Sequence, residues 1–231
     1  MKRKTIIISD LHLWAPDAQH QRLLKFLEKN TCENLILNGD IIDGRYLKFF
    51  WKRKPEYDLF FKKLKDICAK NKTTMQYVRG NHEDYTDSIR RKLWLPPLQE
   101  EIVLSSHGKE YLVCHGDEFE TGTSNLNLYS LLWFFASTAI RRIDRHTNPN
   151  YGIKSHITKL YKRLTHPFSD AHKLILKKFK NQEMSGVICG HSHIPQDKII
   201  WHLHYLNSWD RIETCSALVQ DDKGNWKILY W

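Results

Sequence analysis

The chain has 231 residues, 41% hydrophobic and 27% charged, with a formal net charge of +10. This composition excludes a collagen-like repeat, wholesale disorder and a polytopic membrane protein. The length fits one large domain, or one domain with an insert, and can bury a core without staples.

Met1-Lys2-Arg3-Lys4 leads into only a short apolar run, Ile6-Ile7-Ile8. A signal peptide needs an apolar region of about 7–15 residues, so a cytoplasmic chain is expected. Residues 4–9 are β-branched and predict a buried strand. Residues 17–30 place Leu23, Leu24 and Leu27 at helical spacing and predict a helix. Residues 34–38 predict a second strand. Residues 58–70 predict a helix with Leu59, Phe60, Leu64 and Ile67 on its buried face. Residues 74–79 predict a third strand, and the strand–helix alternation implies parallel pairing. Strands are also expected at 101–105 and 111–114, with a turn at His107-Gly108. A long helical region is expected over 124–180. The last strands are expected at 186–189, 198–202, 203–206, 213–219 and 226–230, with a hairpin turn at 221–224. The five cysteines, 32, 68, 114, 189 and 215, include no CxxC pair and read as reduced, buried thiols.

The strongest signal lies at the end of each apolar run. The first ends in Asp10-Leu11-His12, the second in Gly39-Asp40-Ile41-Ile42-Asp43, the third in Gly80-Asn81-His82-Glu83. The fifth ends in His115-Gly116-Asp117, and the late strand in Gly190-His191-Ser192-His193. Ligands of open α/β sheets bind beyond the carboxyl ends of the strands, so five such ends converge on one place. Imidazole, carboxylate and amide oxygen together suit paired divalent metals.

This set resembles the calcineurin-like metallophosphoesterase superfamily. Its motifs are Asp-x-His, Gly-Asp-x-x-Asp, Gly-Asn-His-Glu/Asp, a later His-Gly-Asp, and Gly-His-x-His. All five are present between residues 10 and 193. Tyr205-Leu206-Asn207, then Glu213-Thr214-Cys215-Ser216-Ala217-Leu218, extend the likeness to the UDP-2,3-diacylglucosamine diphosphatase branch. Trp209 and Arg211 stand where that branch commonly has Gly and Trp, and His82 where its best-known members have arginine.

The resemblance implies an α/β fold, an α/β/β/α sandwich of two mixed sheets. It implies one domain over residues 1–231, with a helical cap inserted near 124–180. It implies two divalent ions, manganese first, with zinc or iron as alternatives. Asp10, His12, Asp40 and His193 would hold one ion, and Asp40, Asn81, His115 and His191 the other, with Asp40 bridging. Asp43 and Asp117 would orient these ligands, and His82 would donate a proton or hydrogen bond in catalysis. The activity implied is cleavage of UDP-2,3-diacylglucosamine to UMP and 2,3-diacylglucosamine 1-phosphate in lipid A biosynthesis. A nucleotide or nucleic-acid phosphodiesterase on the same site is the alternative.

Charge placement bears on the substrate. Residues 141–180 hold eleven Lys and Arg against two Asp, and residues 45–65 hold eight against Glu56 and Asp58. The first of these comes after an aromatic run, Leu131-Leu132-Trp133-Phe134-Phe135, in the long gap between the His-Gly-Asp and Gly-His-x-His motifs. The apolar-rich stretch 126–140 is shorter than the roughly 20 residues a spanning helix needs. Apolar aromatics beside basic residues suggest a lid that accepts acyl chains and lies peripherally on an anionic inner-membrane surface; an amphipathic helix packed on the core with a solvated charged face is the alternative. Aromatic and basic residues also suit nucleic acid, which keeps the alternative open.

Overall fold

The computed structural model describes residues 2–15, 18–50, 55–83, 87–119, 169–179, 183–192, 195–208 and 215–230. The chain divides into two compact units, Met1–Gly116 with Met184–Trp231, and Asp117–Glu183. The described strands of the first unit, in chain order, are β1 (Lys2–Ile8), β2 (Thr31–Asn38), β3 (Thr74–Val78), β4 (Leu98–Gln99), β5 (Glu101–Ser106), β6 (Lys109–Cys114), β7 (Gly186–Cys189), β8 (Gln196–Ile200), β9 (Leu203–Asn207), β10 (Ser216–Gln220) and β11 (Trp226–Tyr230). Its described helices are α1 (His20–Lys29), α2 (Gly44–Phe50), α3 (Pro55–Asn71) and α4 (Asp87–Lys92).

The strands form two mixed sheets, ordered β11-β10-β1-β2-β3-β4 and β5-β6-β7-β9-β8. β1, β2, β3 and β4 pair in parallel, while β10 and β11 are antiparallel. In the second sheet β6, β7 and β9 are parallel, flanked by antiparallel β5 and β8. The core lies between the sheets: Ile7, Ile36 and Val78 of the first meet Val113, Ile188 and Leu206 of the second. Burying such side chains contributes about 1.5–3 kcal/mol each. All five cysteines are free and buried, as the spacing predicts.

Several elements differ from expectation. α3 buries Tyr57, Phe60, Phe61, Leu64 and Cys68, whereas Leu59 is 52% exposed. Residues 57, 60, 61, 64 and 68 keep to the 3.6-residue period, and Leu59 points about 100° away from Phe60. α2, α4 and the two-residue β4 were not expected. In the second unit, a 3-10 turn (Asp117–Phe119) and helix α5 (Ser169–Phe179) are described, with Lys178 Nζ donating to Glu118 Oε1 at 2.7 Å. Most of the expected cap at 124–180, including the aromatic run, lies outside the described residues, as do Trp209 and Arg211.

Candidate metal centre

Parallel pairing brings the strand ends together. Ile8 lies beside Leu37, and Asn38 beside Val78, so β1, β2 and β3 end along one edge. Backbone bonds then fasten the loops. Asp10 N–H donates to the Gly39 carbonyl at 2.9 Å, and His12 N–H to the Asp40 carbonyl at 2.8 Å. Gly44 N–H donates to the His82 carbonyl at 2.9 Å. On the second sheet, Gly190 N–H donates to the His115 carbonyl at 2.9 Å. The Asn38 side chain crosses between the sheets and donates to the Cys114 carbonyl at 3.0 Å.

These turns carry strain. Asp10, His12, Asp40 and His191 have left-handed φ values of 50°, 41°, 53° and 58°. Such a conformation costs a non-glycine residue roughly 1–3 kcal/mol, and it clusters where side chains must be aimed. Gly39 has φ 78°, and a Cβ there would overlap the His115 imidazole. A Cβ at Gly80 would collide with the Asp40 amide and carboxylate. Both glycines are therefore demanded by close approach.

Asp40 is the centre of the cluster. Its Oδ2 lies 3.4 Å from His115 Nε2, 3.6 Å from His12 Nε2 and 3.9 Å from His82 Nε2. Its other oxygen, Oδ1, accepts from His82 N–H at 2.8 Å. Two groups could each hold an ion, His12 with Asp40 and His82, and Asp40 with His115 and His191. Asp40 is common to both. Asp10 Oδ1 lies 3.9 Å from His12 Nε2, and Asp10 Oδ2 accepts from His191 N–H at 3.1 Å.

The hydrogen bonds behind the imidazoles select their tautomers. His115 Nδ1 is 3.0 Å from the Asn38 carbonyl, which can only accept, so Nδ1 carries the proton. His12 Nδ1 likewise faces Asp43 Oδ2 at 3.2 Å. In the neutral rings both Nε2 lone pairs then turn toward Asp40, an arrangement that two anionic or lone-pair groups adopt around a cation. His115 Nε2 and the Asn81 side-chain oxygen are buried without a hydrogen-bond partner among the described residues. Leaving such atoms unmet costs about 1–3 kcal/mol each unless a ligand meets them. The donor set and these two atoms fit divalent ions.

Asp43 serves two rings at once, lying 3.2 Å from His82 Nδ1 through Oδ1 while Oδ2 holds His12. Burial would raise both carboxyls, but His115, His82 and His12 hold Asp40 well below the usual range, and His82 and His12 do the same for Asp43. The same pairing acts in reverse on His82. Burial opposes its charge, and Asp40 and Asp43 outweigh burial and raise its pKa.

The sequence reading missed the part played by Glu83. Its buried carboxylate accepts from Gly80 N–H at 2.7 Å, Asp40 N–H at 2.8 Å, Ile41 N–H at 2.8 Å and the Tyr77 hydroxyl at 2.8 Å. It thus clamps the loop that aims Asp40. Burial, then the nearby Asp40 charge, pushes its pKa up to about 7. The acid directly after Asn81-His82 was the available signal. Of the other expected residues, His193 lies outside the described residues, and Asp117 opens the 3-10 turn of the second unit.

A family model for calcineurin-like phosphoesterases matches residues 3–195. No curated protein matches the chain in sequence. An archaeal phosphodiesterase of solved structure is similar in fold, with TM-score 0.51, 12% identity, and 98% of this chain and 99% of that one covered. A Vps29 variant from Entamoeba histolytica has TM-score 0.48, 12% identity and 98% of each chain covered. The phosphoesterase YfcE from E. coli has TM-score 0.47 and 14% identity, with 97% of this chain and 87% of that one covered. With the family model spanning every strand-end motif, the chain belongs to the calcineurin-like phosphoesterase family, hydrolases that act on phosphoric esters.

Proposed function

We propose that this chain is a dinuclear metal-dependent hydrolase that cleaves UDP-2,3-diacylglucosamine to UMP and 2,3-diacylglucosamine 1-phosphate. The observation that carries the metal chemistry is Asp40 Oδ2, which faces three imidazole nitrogens at 3.4, 3.6 and 3.9 Å. Asp10, His12, Asp40 and His193 would hold one ion, and Asp40, Asn81, His115 and His191 the other. Manganese is the first candidate, with zinc or iron as alternatives. Such a pair, when bound, supplies hydroxide near neutral pH and neutralises phosphoryl oxygens.

The chain's own residues do the rest. Asp40 stays ionised at the shared position. Asp43 accepts from His12 Nδ1 and stabilises the His82 imidazolium, so that His82 can give a proton to the departing oxygen. Glu83 fixes the turn that carries Asp40.

The substrate reading is supported by the likeness of residues 205–218 to the diacylglucosamine branch and by the basic, aromatic composition of 45–54 and 124–180. This reading puts the enzyme in the cytoplasm, with the cap resting peripherally on anionic membrane and receiving the acyl chains. No helix among the described residues is long and apolar enough to cross a membrane. The net charge of +10 and the fold of an archaeal phosphodiesterase favour a second reading, a nucleotide or nucleic-acid phosphodiesterase. A substrate panel with manganese, scored by product identity, decides between them. Release of UMP and lipid 1-phosphate, dependent on detergent, supports the first reading. Cleavage of oligonucleotides alone, with salt-sensitive binding, supports the second.

A further inference from the structure

Arg45 is a cation beside the centre with no role in metal binding or proton transfer. It lies in the first turn of α2, two residues after Asp43. The backbone sets this turn against the His82 loop. Gly44 N–H donates to the His82 carbonyl at 2.9 Å, and Asp43 Oδ1, which lies 3.2 Å from His82 Nδ1, accepts from Tyr46 N–H at 3.1 Å. Tyr46 and Leu47 are buried, so α2 packs through them. Arg45 and Lys48 are three residues apart and share the other face, Arg45 half-buried at the inner end and Lys48 exposed one turn farther out. The Arg45 charge reaches His82, whose protonation it opposes. Among the described residues, Arg45 has no ion-pair partner. A guanidinium partly withdrawn from water, next to an anion-handling centre, is completed by an anion.

We propose that Arg45, backed by Lys48, binds a second phosphoryl group joined to the scissile one, and so selects phosphoanhydrides over simple phosphoric esters. The inference rests on the hydrolase reading and names the substrate class of that same site. The planar fork of arginine meets two phosphoryl oxygens at once, which lysine does not. In the reaction, the oxygen of one water bonds to the attacked phosphorus, and the bond from that phosphorus to the bridging oxygen breaks. The bridging oxygen leaves with its electron pair on the second phosphoryl group. Of the two protons of the water, one remains on the products and one is released. Arg45 neutralises the charge that gathers on the leaving phosphoryl group, and a simple ester, whose leaving oxygen carries no second phosphorus, offers no such group to its fork.

The test compares metal-loaded wild type, Arg45→Ala and Arg45→Lys on two probes. UDP-2,3-diacylglucosamine in detergent micelles carries the anhydride, and bis-(p-nitrophenyl) phosphate has no second phosphoryl group. Removing a hydrogen-bonded charge predicts a loss of roughly 10- to 100-fold in kcat/KM on the anhydride, and a much smaller loss on the diester. Arg45→Lys, which keeps the charge and loses the fork, shows the same bias at smaller size, and serves if Arg45→Ala folds poorly. Equal losses on both probes overturn the proposal. Wild type that cleaves the diester and leaves the anhydride intact also overturns it, with the hydrolase reading standing. Wild type that cleaves neither removes the hydrolase reading, and the inference with it.

Discussion

Two regions of the first unit differ in what their side chains leave unmet. One is the strand-end centre around Asp40. The other is a cavity of about 270 Å³ lined by Phe61, Leu64, Cys68, Met75, Leu93 and Trp94. Its lining is largely apolar, and its one charged group, Lys65 Nζ, already lies 3.7 Å from the Trp94 ring centroid. The Asp40 centre gathers carboxylates and imidazoles on strained backbone, with buried donor atoms whose valence is unmet. What separates them is that one is chemically complete and the other is arranged around something it must bind.

Substitutions can break or sharpen this contrast. Asp40→Ala should be the most damaging, because it removes the group common to both clusters. A rate loss of at least about 10³-fold is expected, more than the removal of a single electrostatic donor usually costs. Steady-state turnover of the metal-loaded variant measures it. His82→Ala should keep the metal and lose roughly 10²–10⁴ in kcat, the range for general acid–base catalysis. Wild-type turnover in that variant would remove His82 from the acid role. His82→Arg refines the test, since substantial activity there favours charge stabilisation over proton donation.

Glu83→Ala probes the scaffold behind the centre. It strands the amides of Gly80, Asp40 and Ile41 and the Tyr77 hydroxyl. Leaving a buried neutral donor unmet costs roughly 1–3 kcal/mol, so a loss of several kcal/mol is expected, read as a fall in the unfolding midpoint. Trp94→Ala in the apolar cavity should do least. Trp94 is 67% exposed, and an exposed cation–π contact contributes about 0.5–1 kcal/mol. Turnover should stay within about twofold of wild type, as for surface changes away from a site. A large loss of activity would undo the contrast between the two regions.

The centre was legible because each apolar run is short and ends in Asp, Asn or His, three of the five directly behind a glycine, so period and punctuation agree. The parallel order of β1, β2 and β3 was legible from the helices between them. α2 was not legible, since its seven residues hold fewer than two full turns, and its start depends on Asp43 capping Tyr46, a bond between a ligand motif and a helix. Leu59 misled because hydrophobicity alone placed it on the buried face, while the actual stripe joins Phe60 and Leu64 to Tyr57, Phe61 and Cys68. Glu83 read only as the end of a motif. Its acceptor contacts depend on the loops after β2 and β3 meeting beside Tyr77 of β3, which no local pattern encodes.

The most direct test of the central claim, that Asp40 is shared between two ions, is the metal content of active protein. Elemental analysis of wild type reconstituted with manganese should give two ions per chain, and Asp40→Ala at most one. Fewer than one ion per chain in active wild type, or two retained in Asp40→Ala, would contradict the account.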